Sequence, residues 1–292
     1  MKGKKMSSLK NAVKNNKMLY KLLFPIVSGF RIFVEFECKT IVFYIQMLLK
    51  KIGFSKCDCV LTALEGRCAG KRIFVVCPGP SLTIEDLNWL DENGEICISC
   101  NSIFKLFDYT NWRPDFYLLN DELAYNTYKE MPTFKINNIA KKNVLISERI
   151  KQYMKDEQIS EKIGFIPVCY FDHWCRRPGK VNKYYSDLKY GNYDLYTVSN
   201  MAIALADYLG AKKIYLLGAD NDYLSGKTHA GGDEFVITDI QSIIQDQENH
   251  ELGFRISREA NEKKGNKIYN ATRGGKLRAF ERVDMDEIIR SK

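Results

Sequence analysis

Only three histidines occur among the 292 residues, so few side chains titrate naturally near neutral pH. No apolar run reaches the ~18–20 uninterrupted residues needed to cross a bilayer. The basic N-terminal stretch is not followed by a clean apolar core and a small-residue cleavage site, and the nine cysteines are an odd number in a long chain. A secreted disulfide framework is therefore not expected, and reduced thiols in the cytoplasm are. The Pro78–Leu82 turn is neither a Walker A loop, which needs a Gly-Lys-Ser/Thr ending, nor a GxGxxG. What the chain does have is 45% hydrophobic and 27% charged residues, which excludes a disordered tail, a collagen-like fibre and a small stapled scaffold.

The net charge of +8 is unevenly placed. Residues 1–56 carry twelve Lys/Arg against two Glu, a balance of +10, so the rest of the chain stands at −2. The main domain is thus not expected to bind nucleic acid. Within the first 55 residues, apolar stretches from Met18 to Val34 and from Thr40 to Leu49 are interrupted or too short to span. Basic, aromatic-rich helices lying in the headgroup region of an anionic membrane fit this pattern, which predicts peripheral attachment to the inner face of the cell membrane. The alternative is a helical hairpin packed on the main domain or on a partner subunit.

Residues 70–292 read as an α/β domain. Ile73–Cys77, Glu95–Cys100, Asp115–Leu119, Asn143–Ser147, Lys162–Pro167 and Lys213–Leu217 have the compact apolar character of buried strands. Thr83–Leu90 and Ser199–Leu209 are helices, with Thr83 and Ser199 as N-cap candidates and Gly210 as the stop of the second. Strands alternating with helices imply a Rossmann-like, mainly parallel sheet with helices on both faces. In such sheets ligands bind beyond the carboxyl ends of the strands, where Ser81, Asn101, Asn120 and Asp220 all fall. Cys97 and Cys100 have zinc-ligand spacing, yet strand alternation turns their thiols to opposite faces.

Pro78-Gly-Pro-Ser-Leu82, Ser99-Cys-Asn101, Leu119-Asn120, Thr197-Val-Ser199 and Leu209–Asp220 resemble the bacterial CMP-sialic acid-dependent sialyltransferases of the Campylobacter type. They equally resemble the broader family with domain of unknown function 115, related to 6-hydroxymethylpterin pyrophosphokinase, whose end is similar to Lys267–Asp284. The resemblance implies that Gly79, Pro80 and Ser81 hold nucleotide phosphates, that Asn101, Asn120, Thr197 and Ser199 surround the nucleotide, and that Tyr223 supports the leaving phosphate. The sialyltransferases' catalytic histidine aligns with Phe254, four residues after His250. The implied activity is glycosyl transfer from a CMP-linked acidic sugar to a glycan or lipid-linked acceptor of the cell surface, with no cofactor required. The pyrophosphokinase resemblance implies instead ATP and Mg²⁺, with Asp220 and Asp222 as oxygen ligands. A nucleotide-binding component of a polysaccharide assembly complex, without turnover, is the third reading.

Removing a proton from an acceptor hydroxyl calls for a base. His229 lies in the glycine-bounded loop Gly226–Gly232 and is the favoured candidate, with His250 after a polar helical stretch and Asp220 as further candidates. His173, Arg176 and Arg177 belong to a basic, aromatic run from Phe171 to Tyr193 that reads as a substrate lid. Each histidine has an ordinary loop or helix-end role as its alternative, and Asp220 can instead cap a loop.

Overall fold

The computed structural model describes residues 38–154, 159–170, 183–225 and 240–291. Of the sequence expectations, His173, Arg176, Arg177, His229 and the segment before residue 38 lie outside these residues.

The helices and strands in chain order are α1 (Lys39–Lys51), α2 (Cys59–Leu64), β1 (Arg72–Val76), α3 (Ile84–Glu92), β2 (Cys97–Cys100), β3 (Phe116–Leu119), α4 (Glu122–Tyr128), β4 (Asn143–Ser147) and β5 (Ile163–Ile166). There follow β6 (Val168–Cys169), β7 (Asn192–Tyr193), α5 (Val198–Tyr208), β8 (Lys213–Leu217), α6 (Ile240–Lys263), β9 (Lys267–Asn270), β10 (Glu281–Arg282) and α7 (Met285–Arg290). Eight strands form one sheet in the order β10-β9-β8-β1-β2-β3-β4-β5, and every neighbouring pair is parallel. The chain winds from β1 outward to β5, then crosses back to lay β8, β9 and β10 on the other side. The winding reverses between β1 and β8, which is where open α/β sheets leave a crevice for a ligand.

Parallel strands are covered on both faces, so they read as continuous apolar runs. In β1, Ile73, Phe74, Val75 and Val76 are wholly buried. Ile73 and Val75 join one core with α2, α5 and Phe254 of α6, while Phe74 and Val76 join the opposite core with α3, α4 and α7. Each such side chain contributes about 1.5–3 kcal/mol by leaving water. Cys97 and Cys100 likewise fall in different cores, so the zinc-like spacing belongs to a strand whose thiols face away from each other. Among the described residues no group of three His, Cys, Asp or Glu is gathered as a metal site.

Two elements differ from the sequence expectation. The N-cap of α5 is Thr197, whose hydroxyl accepts the Ser199 N–H at 3.3 Å, so Ser199 lies inside the first turn. The helix expected to end near Glu248 continues to Lys263, which places His250 in its middle rather than at a solvated end. At Gly253, inside this helix, a Cβ would stand 2.4 Å from the Leu195 carbonyl oxygen and 2.7 Å from Asn200 Nδ2. The helix needs that glycine to lie close against the entry of α5.

Candidate functional site

A cleft opens at the carboxyl ends of β1, β2 and β8. Its lining comprises Cys77–Pro80 after β1, Cys100 and Asn101 after β2, Thr197–Ser199 at the start of α5, Gly218–Tyr223 after β8, and His250 and Phe254 from α6. Sequence positions more than 170 apart meet here because the winding reverses at this point. Of the residues singled out from sequence, Gly79, Pro80, Asn101, Thr197, Ser199, Asp220, Asp222, Tyr223 and His250 are gathered together. Asn120 is placed elsewhere: it ends β3, and the Tyr170 phenol sits on its carboxamide and 2.6 Å from Ser147 Oγ.

The Gly-Pro turn forms one wall and is packed backbone against backbone. The Gly79 N–H donates to the Gly218 carbonyl at 3.0 Å. A Cβ on Gly79 would stand 2.1 Å from that oxygen and 2.2 Å from Asp220 Oδ2, so nothing larger than glycine fits. Gly218 and Gly275, both at positive φ, are closed in the same way by the Cys77 carbonyl and by the Asp220 backbone. Ser81 turns inward: its N–H and its hydroxyl both donate to Asp220 Oδ2, at 3.2 and 2.9 Å. Burial pushes the Asp220 carboxyl above the ordinary carboxylate range, against the opposing effect of these two hydrogen bonds. The Ser81 hydroxyl is thereby engaged by a carboxylate, and Asp222 is paired with Lys276 at 2.9 Å.

The C-terminal stretch fastens this wall. Arg273 donates to both oxygens of Asp86, in the first turn of α3, and also to Asp286 of α7 at 2.7 Å. The Thr272 hydroxyl accepts the Ala219 N–H at 3.0 Å, and the Lys276 N–H donates to the Asp220 carbonyl at 2.7 Å. None of these contacts is visible in local patterning, since Asp86 and Arg273 are 187 positions apart.

The opposite wall keeps polar groups in reserve. Asn101 adopts a left-handed conformation (φ 49°), which asparagine tolerates better than most residues. Its carbonyl accepts from the Tyr117 phenol at 2.6 Å, while its buried side-chain Oδ1 has no hydrogen-bond partner among the described residues. Buried polar atoms are seldom left so, and one lining a cleft is an acceptor suited to a ligand donor. The α5 N-terminus reaches the same space, and helix N-termini favour anions through their dipole and N–H groups. Its first turn is held by Asn200, whose amide donates to the Leu195 carbonyl at 2.8 Å and whose oxygen accepts from Ser257 at 2.8 Å.

Tyr223 and His250 meet edge to face, with ring centres 5.5 Å apart. Gln247 donates to the Asn221 carbonyl at 2.7 Å and so holds the loop after β8 against α6. Burial raises the Tyr223 phenol to about 12, which keeps it protonated and a donor at neutral pH. On the cleft floor, Cys77 and Cys100 share a hydrogen bond, and Cys77 Sγ lies 3.2 Å from Ser199 Oγ. No Lys or Arg belongs to the lining among the described residues.

The family model described as 6-hydroxymethylpterin diphosphokinase MptE-like matches residues 52–226, more than half of the chain. The match ends before α6 and before the Asn270–Arg282 stretch that completes the cleft. None of the curated proteins matches the sequence. Among solved structures, the MAf glycosyltransferase from Magnetospirillum magneticum AMB-1 is 17% identical with a TM-score of 0.47, over 75% of this chain and 35% of that one. The chain therefore spans about a third of that protein's length. The sialyltransferase CstII from Campylobacter jejuni, solved in complex with a substrate analogue, cytidine-5'-monophosphate, is 14% identical with a TM-score of 0.43, over 73% of this chain and 87% of that one.

Proposed function

The chain belongs to the 6-hydroxymethylpterin diphosphokinase MptE-like family, and from that premise we propose that it is a nucleotide-dependent glycosyltransferase that uses a CMP-linked acidic sugar. The observation that carries this reading is the juxtaposition of the Tyr223–His250 pair with the α5 N-terminus in one cleft. The acceptor hydroxyl attacks the anomeric carbon, His250 takes the hydroxyl proton, and the bond from that carbon to the phosphate oxygen breaks. The electron pair leaves with CMP. Tyr223, protonated at neutral pH, donates a hydrogen bond to the departing phosphate, and the α5 N-terminus faces its charge. Asn101 Oδ1 accepts from the base or the sugar. The acceptor is a glycan or a lipid-linked precursor of the cell surface.

Electrostatics support a CMP-linked donor over a nucleoside triphosphate. A helix N-terminus presents about half a positive charge, which suits one phosphodiester better than the several charges of a triphosphate. Among the described residues the lining holds no Lys or Arg.

One observation favours a second reading, an ATP-dependent diphosphokinase: Asp220 and Asp222 both line the cleft, and their hard oxygens are the donor type that Mg²⁺ takes alongside nucleotide phosphates. Magnesium held there would neutralise the triphosphate. For this donor set to be used, Asp222 must give up Lys276 and Asp220 must share its bonds to Ser81.

The two readings are separated by incubating the purified chain with a CMP-linked acidic sugar in a metal chelator, with water or an added sugar hydroxyl as acceptor, and measuring released CMP. Turnover is expected without metal, and His250→Ala is expected to lower it by about 10²–10⁴ while CMP binding persists. AMP release from ATP that depends strictly on Mg²⁺, with no CMP-sugar turnover, would replace the first reading with the second.

A further inference from the structure

Helix α1 is apolar on two opposite sides, and among the described residues only one of them is packed. Phe43 and Met47 are buried against Cys169, Tyr193 and Leu195. Gly191 makes room for the Phe43 ring, which a Cβ there would approach to 2.7 Å. Tyr184, Tyr185, Tyr190 and Tyr193, which read from sequence as part of a lid, sit in or against this cluster.

On the far side of the helix, Ile41, Ile45, Leu48 and Ile52 follow one another at spacings of four, three and four, the repeat of a single helical stripe. They are 55, 51, 57 and 64% exposed, and Phe54 just beyond is 82% exposed. Seven of the fourteen large hydrophobic residues exposed among the described residues fall between Ile41 and Phe54, so this is a patch rather than scatter.

We propose that this outer face of α1 docks on an anionic lipid surface. Charge selects the occupant. Exposed Lys39 stands at one end of the stripe and exposed Lys51 and Lys56 at the other, within a segment of +10 that contrasts with −2 for the remainder. An apolar protein groove accommodates the stripe but has no need of that charge. A bilayer with anionic headgroups takes both, the isoleucines and Phe54 in the acyl boundary and the lysines among the phosphates. The helix has 13 residues, and no described helix is long and apolar enough to cross a membrane, so α1 lies along the surface. Its inner face rests on Tyr193 and Leu195, which run directly into Thr197 at the cleft.

The test is flotation of the full chain with vesicles of phosphatidylcholine alone and of equal parts phosphatidylcholine and phosphatidylglycerol. The chain is expected to float with the anionic vesicles, less so at high salt, and to stay behind with the neutral ones. Ile45→Glu/Leu48→Glu is expected to cut flotation by about tenfold or more with melting temperature and oligomeric mass unchanged, since both positions are exposed. Absence of flotation by the unmodified chain, or equal flotation of the variant, overturns the proposal. A change of oligomeric mass in the variant assigns the face to a second copy. A loss of melting temperature assigns it to another part of the same chain. Either outcome also overturns lipid docking.

Discussion

The two walls of the cleft use their polar groups in opposite ways. In the wall formed by the Gly-Pro turn, Gly79, Gly218 and Gly275 bring backbones into contact, and the Ser81 donors are spent on Asp220. In the wall formed by Asn101, the α5 N-terminus and the Tyr223–His250 pair, a buried acceptor is left over and a protonated phenol faces the cleft. The first wall has the features of a rigid support, the second those of a surface that expects a ligand. In the turn that looks like a phosphate cradle in sequence, the Ser81 donors are thus spent on Asp220, and the proposed function places the recognising groups opposite it.

The sharpest way to break this contrast is Gly79→Ala. A methyl group 2.1 Å from a backbone oxygen cannot be relieved by a rotamer change. The expected loss is about 3 kcal/mol or more, or roughly 6–12 °C in melting temperature, read by thermal or urea unfolding. An unchanged melting temperature with lost nucleotide affinity would make the turn a phosphate site instead. Asn101→Gly acts on the other wall. Glycine keeps the left-handed backbone and deletes the spare acceptor, so stability is expected within about 0.5 kcal/mol of the parent while CMP affinity falls about tenfold. Equal affinity would remove Asn101 from the recognising wall.

These two positions also show how far the sequence could be read. Strands β1, β4 and β8 were legible because parallel strands covered on both faces announce themselves as short apolar runs. The strand ends then pointed to Asn101 and Asp220 without any tertiary information. What local patterning could not carry is the use made of them. The clash that demands Gly79 comes from residues 139–141 positions later, and the anchor of Asp86 comes from Arg273. The two-residue strands β6, β7 and β10 are too short for a period to appear. Helix α6 is polar along most of its length, so no apolar period marked its reach to Lys263, and with it the placement of His250 in the cleft.

Ser81→Ala tests the same wall more gently. It removes one hydrogen bond to Asp220 while the Ser81 N–H remains, so the expected cost is about 1 kcal/mol of stability with nucleotide affinity unchanged. A fall in affinity alone would return the hydroxyl to the ligand.

The smallest effect concerns pH. Burial raises the folded Asp220 pKa above its unfolded value, so the folded state holds the proton more tightly. That contribution is fully present below the unfolded value of about 3.9 and is lost as pH rises through the raised folded pKa. Asp220→Asn, which retains an oxygen for the Ser81 donors, is expected to flatten this part of the stability profile measured by urea unfolding. Parallel profiles for the two proteins would contradict the assignment.

Nucleotide recognition by the Asn101 wall is read by calorimetric titration of the full chain with CMP in the presence of a metal chelator, repeated with Asn101→Gly. Binding of CMP without metal, weakened about tenfold by the substitution, is the result this account predicts. No binding of CMP, together with Mg²⁺-dependent binding of ATP that Asn101→Gly leaves untouched, would contradict it.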